Sequence, residues 1–325
     1  MRLWDVAFTH GGAISDIAFS PDGSRLATAS RDAVAKIWDR AGGKVLQQLT
    51  GYTGTVFRVA WSPDGKHLAT ASVDGTAALW DATGAQAPRL LRGHAGRVQS
   101  VAFSADGRLV VTAGHDGMAG IWDAASGVRR LWLRTGTAPL NRALFSRDGQ
   151  HVLTAGADGG LAEWNAANGK LQRRLQERGD EIDDIALSPD GALLAAAGAD
   201  RRARLWDLAS GKALRELAGH TGAIGALAFS PDGRLLATAS RDRSARVWDV
   251  ASGTERFTLP PQDAAVNAVA FSPDGSTLAT GGGDKRVHFL PLDPAQLAAA
   301  LRERVTHGFT AEECEKYLHQ RPCPP

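Results

Sequence analysis

The sequence predicts an all-β fold: seven copies of a four-stranded antiparallel sheet closed into a ring, with a short C-terminal helical tail. Three observations predict it. Ser-x-Asp-Gly recurs at Ser20, Ser62, Ser104, Ser146, Ser188, Ser230 and Ser272, always 42 residues apart. An aspartate keeps that interval at Asp32, Asp74, Asp116, Asp158, Asp200, Asp242 and Asp284. So does a tryptophan at Trp38, Trp80, Trp122, Trp164, Trp206 and Trp248, with Leu290 in the seventh place. A fixed period of this length marks stacked supersecondary units.

Within one copy, "DIAFSPDGSRLATAS" gives a first strand, a turn and a second strand. Proline pre-sets the second turn position and glycine takes the left-handed region, so the stretch is a hairpin. Asp32 marks the next turn and "AKIWD" is the third strand. Glycines at 43, 127, 169, 211 and 253 close a third turn, and stretches such as "KALREL" supply a fourth strand. One such sheet cannot cover both of its faces. Seven equal copies can stack radially, leaving only short protected edges.

Composition limits the function classes. Apolar residues make up 43% and charged residues 22%, with 37 Gly and 14 Pro, as in a turn-rich globular chain. Net charge is +2 and there is no Lys/Arg run, so nucleic acid is not the expected partner. Cys314 and Cys323 are the two cysteines, both near the end, which fits a reducing cytoplasm and leaves their pairing open. No stretch of eighteen apolar residues suggests a membrane span. Phosphate-loop, zinc-protease, Cys-x-x-Cys and nucleophile-elbow patterns are missing, so no cofactor, no metal and no catalytic residue is expected.

Gly-His, Ser-Pro-Asp-Gly and Trp-Asp at this spacing resemble the WD-repeat β-propeller family. The resemblance covers residues 1–293 and implies seven blades, with the outer strand of each blade encoded just before the first strand of the next. Trp4 lies 34 residues before Trp38, while His10 stands ten before Ser20, as His94 and His220 stand before Ser104 and Ser230. "RLWDVAFT" is therefore in outer-strand register. Residues 2–8 are expected to complete the last blade beside "RVHFLPL".

Repetition argues against catalysis, because a catalytic site needs one asymmetric constellation. A buried indole, carboxylate and imidazole are each costly unless paired. The resemblance implies a buried hydrogen-bonded chain through His10, Asp32 and Trp38, through His94, Asp116 and Trp122, and through His220, Asp242 and Trp248. Thr238 or Ser240 would supply the hydroxyl in blade six. Blade five lacks both the histidine and the hydroxyl.

Partner-binding candidates are the positions that vary between otherwise similar copies, on the loop face that the family commonly uses. Arg31, His115 and Arg241 precede the turn aspartate. Phe57, Gln99 and Asp183 follow the leading residue of a first strand, and Arg97 and Glu181 lie two positions earlier. An aromatic at Phe57 is either an interface anchor or a packing accident. The acidic group at Glu181 and Asp183 is expected to face Arg31, Arg97 and Arg241 across the ring. The next register, Asp16, Arg58, Ser100, Arg142, Asp184, Ala226 and Ala268, should line a central channel, with Asp16–Arg58 and Arg142–Asp184 as ion pairs between neighbouring strands of that register.

After Leu292, Asp293-Pro294 reads as a helix start, with Leu297, Leu301 and Val305 on one face; Thr310 and Glu313 cap a second short helix. This tail resembles the C-terminal end of bacterial multidomain signalling proteins carrying WD repeats. The expected function is a monomeric, cytoplasmic, non-enzymatic scaffold for a protein or peptide, acting as the sensor of a signalling or defence protein. The alternative is a propeller hydrolase or lyase with its site in the channel.

Overall fold

Each Ser-x-Asp-Gly segment folds into a tight turn because its serine hydroxyl grips both ends. Ser20 Oγ donates to Asp22 Oδ1 at 2.5 Å and accepts from Arg25 N at 2.9 Å, while Gly23 takes a φ of 70°. A Cβ is disfavoured at that angle, which is why glycine holds the position. In the computed structural model, which describes residues 8–136, 138–259 and 261–293, this hairpin is repeated seven times.

The chain forms seven antiparallel sheets, six of them four-stranded and ordered in space as in sequence. Blade one consists of Ile14–Phe19, Arg25–Ser30, Ala35–Asp39 and Val45–Leu49. The first strands of the other blades are Val56–Trp61, Val98–Phe103, Leu140–Phe145, Ile182–Leu187, Ile224–Phe229 and Val266–Phe271. Neighbouring first strands touch all the way round, and that of blade seven touches that of blade one. The result is a closed seven-bladed β-propeller with the first strands around its axis.

Blade seven has three strands, ending with Val287–Pro291. Beside the last of these run Phe8 to His10: Phe8 O accepts from Val287 N at 3.1 Å and His10 N donates to Lys285 O at 3.0 Å. Blade six makes the equivalent bond from Gln262 N to Arg243 O at 2.8 Å, so these residues occupy the outer-strand position. Phe8 is buried between Trp38 and Phe289, with ring centroids 5.3 and 5.0 Å away, tying the first blade to the last. Residues 2–7, with Trp4, lie outside the described residues, as does the tail from 294 with its expected helices.

The core lies between blades. Ala27, Ala29, Ile37 and Leu49 of blade one pack against Val56, Trp61, Leu68 and Trp80 of blade two. Alanine on the second strand lets adjacent sheets approach closely, and each large apolar side chain buried there contributes roughly 1.5–3 kcal/mol.

Candidate functional site

Every first strand carries a β-bulge in its first turn of register. In blade one Ile14 pairs with Ser30 and Asp16 with Ala29, so Ser15 is the extra residue. The same shift falls at Phe57, Gln99, Asn141, Asp183, Gly225 and Asn267. A bulge leaves one residue out of the ladder and re-aims its side chain. All seven bulge residues, together with Arg31, Arg58, Arg241 and Val266, line one cavity of about 150 Å3 at the mouth of the channel.

Three of the seven side chains are consumed in holding the ring. Ser15 Oγ donates to Val56 O at 2.8 Å, Asn141 Nδ2 to Ile182 O at 3.0 Å, and Asn267 Nδ2 to Ile14 O at 2.9 Å. Each spans to the next blade. The polar bulge residues are thus partly structural staples, a role their variability does not reveal. Phe57, half-buried, Gln99 and Asp183 are left facing the cavity, with exposed Arg31 and Arg241 at its rim. Burial, and then Glu181, push the Asp183 carboxyl up to about 6, against the opposing pull of Arg241.

The remaining candidates lie elsewhere. Arg97 lines a separate cleft of about 460 Å3 with Arg92 and Asp74. Glu181 accepts from Asn141 Nδ2 at 2.9 Å and lines a cavity on blade five. His115 is held below its usual pKa by burial and then by Arg97, with Glu181 opposing, and its buried Nε2 has no hydrogen-bond partner. The expectation that the acidic sector faces Arg241 across the ring is corrected. Arg241 belongs to blade six, the neighbour of Asp183 in blade five, and acts on its carboxyl from there.

Below the mouth the channel register converges as expected. It also makes a contact that adjacent-blade pairing misses. Arg58 reaches Asp184 across the ring at 2.8 Å while lying 3.5 Å from Asp16. Arg142 Nε stands 3.1 Å from Asp184, and its NH1 donates to Ser100 Oγ at 3.2 Å. The backbone adds one donor to each carboxylate: Val59 N donates to Asp16 at 3.0 Å and Leu227 N to Asp184 at 2.8 Å. Burial raises the Asp16 pKa, and burial followed by the neighbouring Arg58 holds Arg142 down to about 10. Two carboxylates and two guanidiniums therefore neutralise one another across the axis.

The repeated polar residues form the buried chain that the resemblance implies. Trp38 Nε1 donates to Thr28 Oγ1 at 2.8 Å, which lies 2.7 Å from His10 Nε2, and His10 Nδ1 lies 2.9 Å from Asp32. An indole can only donate, so the threonine spends its proton on Nε2 and the neutral imidazole gives Nδ1–H to the carboxylate. Burial, the largest effect, lowers the His10, His94 and His220 pKa values and favours that neutral form. Blade three repeats the chain through His94, Thr112, Asp116 and Trp122. Blade six repeats it through His220, Thr238, Asp242 and Trp248. Thr238 is the bridging hydroxyl there. Ser240, two residues further on at the end of the same strand, sits beside the loop and instead donates to Gly222 O at 2.9 Å and accepts from Asp242 N at 3.1 Å.

A sequence profile described as "WD domain, G-beta repeat" matches residues 6–39, 43–81, 86–123, 169–207, 211–249 and 253–289. The chain belongs to the WD40-repeat family. The interval between 123 and 169 is unmatched yet contributes to an ordinary blade. It departs from the pattern at Gly136 for histidine, Arg147 for proline and Asn165 for aspartate, while keeping the Trp164–Thr154 bond at 2.8 Å. A search among curated proteins returned no match. WD40 propellers are commonly protein-interaction scaffolds without enzymatic activity, and they generally bind protein partners.

Proposed function

We propose that this WD40 propeller is a scaffold that reads a peptide segment at the channel mouth, and that the segment is acidic with one apolar anchor. The observation that carries the reading is the set of bulges, which brings non-identical residues from all seven blades to the wall of one cavity and leaves Phe57, Gln99 and Asp183 facing it. Phe57 offers an aromatic surface for the anchor, and Arg31 and Arg241 offer exposed cations. Beneath the mouth, every acid of the described channel register is set against a base of the same quartet, which favours binding over catalysis. The tail motif supports a wider reading, in which the disc is the cytoplasmic sensor of a bacterial signalling protein.

Selection of displayed peptides on the wild-type disc, followed by affinity measurement on variants, tests the mouth. Phe57→Ala should weaken selected peptides by about 30-fold, the cost of losing a central anchor of about 2 kcal/mol. Arg31→Ala with Arg241→Ala should weaken acidic peptides further at low salt than at high salt. Glu181→Ala, outside the mouth, should change little. Equal affinity for the wild type and the Phe57 and arginine variants would refute the reading.

A further inference from the structure

Blade five contains the same socket as its sisters with the internal occupant removed. Trp38, Trp80, Trp122, Trp164 and Trp248 each donate their indole N–H to a threonine on the second strand. At the matching place blade five has Ala196, and Arg178 stands where His10, His94 and His220 insert a ring. Arg178 is exposed and does not fill the space. Two things result. Trp206, only 8% exposed, has an indole N–H without a hydrogen-bond partner. A cavity of about 320 Å3 opens beside it, with Trp206, Ala196, Gly198, Asp200 and Arg178 in its wall.

The sister blades show what such a socket accepts. In blade two it holds a phenol: Tyr52 Oη accepts from Trp80 Nε1 at 2.8 Å and shares a hydrogen bond with Thr70. In blades one, three and six it holds an imidazole whose second nitrogen faces the turn aspartate. Asp200 keeps that aspartate's place. It is paired with Arg204, but a carboxylate has lone pairs for a further donor. The volume is at the lower end for small-molecule sites and ample for one ring.

We propose that the blade-five cavity binds a small planar ring bearing one or two hydrogen-bonding heteroatoms, a phenol or an imidazole, which accepts from Trp206 Nε1 and lies beside Asp200. The ring restores the partner that Ala196 and Arg178 fail to supply. It is a site separate from the channel mouth, and peptides selected at the mouth do not compete for it. The ring belongs either to a free small molecule or to a tyrosine or histidine side chain of a bound protein.

The test uses the full chain with 15N-labelled indoles, the Trp206 Nε1–H resonance being assigned with Trp206→Phe. The probes are p-cresol, 4-methylimidazole and capped Gly-Tyr-Gly and Gly-His-Gly peptides. Saturable movement of that resonance is expected at about millimolar ring concentration, the range open to so few heavy atoms. Tighter binding by a peptide than by its free ring assigns the site to a partner's side chain, and the reverse assigns it to a small molecule. Ala196→Thr gives the indole an internal acceptor and should weaken ring binding at least tenfold. Arg178→His, a change at an exposed position, should do the same by filling the space. A Trp206 resonance that stays still through tens of millimolar of every probe overturns the proposal. So does unchanged ring binding by both variants.

Discussion

Removing the Asp184 carboxylate should cost more stability than any other single change in the channel. Its side chain is 1% exposed and lies within 2.8 Å of Arg58, 3.1 Å of Arg142 and 2.8 Å of Leu227 N. Asp184→Ala leaves two guanidiniums, 12% and 17% exposed, to share Asp16 alone. An uncompensated buried charge of this kind costs about 3–5 kcal/mol. At roughly 2 °C per kcal/mol for a chain of this size, the melting temperature should fall by about 6–10 °C. Calorimetry and urea unfolding at pH 7 measure it. Asp184→Asn keeps the shape and an acceptor for Leu227 N, so it should fall between wild type and Asp184→Ala. The double change Asp184→Leu with Arg58→Met leaves Asp16 and Arg142 as one balanced pair and should recover much of the loss, since a well-packed apolar replacement of a buried pair is often neutral. An Asp184→Ala protein within about 1 kcal/mol of wild type would refute the argument, because it would mean that water in the channel already solvates the arginines.

The His–Asp–Thr–Trp chains make the fold acid-sensitive. Burial holds the folded His10, His94 and His220 pKa values below the unfolded value near 6.5, so the unfolded chain binds protons first and stability falls as pH drops below about 6.5. Replacing all three by Gln, the residue that blade seven uses at Gln262, should flatten that slope in urea titrations between pH 7 and 5. Asp183 acts in the opposite sense. With a folded pKa of about 6 against 3.8, its ionisation costs stability as pH rises from about 4 to about 6, so Asp183→Asn should stabilise at pH 7 by at most about 3 kcal/mol and have little effect below pH 4. Phe8→Ala, which opens the junction between Trp38 and Phe289, should destabilise the whole disc by about 3–5 kcal/mol, read as a shift of the main thermal transition.

The sequence by itself determined the repeat, the strands, the turns and the buried polar chain. Each of these depends on residues close in the chain or locked to a 42-residue period. A Ser-Pro-Asp-Gly turn needs only its own hydroxyl and glycine, and Trp38, Thr28, His10 and Asp32 meet wherever two hairpins are stacked. Even the missing partner of Trp206 was legible, as Ala196 in a threonine position, although the cavity that follows was not. With no histidine in blade five to meet Asp200, Arg204, four residues on along the third strand, supplies its partner instead. What only the tertiary structure decided is how seven equivalent positions differ in use. Ser15, Asn141 and Asn267 look as variable as Phe57, yet they staple neighbouring blades. Arg97 and Glu181 lie on the same loop face as the mouth residues but open onto other clefts, and His115, in the register of Arg31 and Arg241, does not line the mouth. Arg58 meets Asp184 across the ring at a separation of 126 residues, three whole periods, and the period alone does not say which of the equivalent positions it reaches. The physical reason is closure: periodic sequence fixes the unit, whereas bulge direction, side-chain length and charge balance across a shared axis are settled only when all seven units face one another.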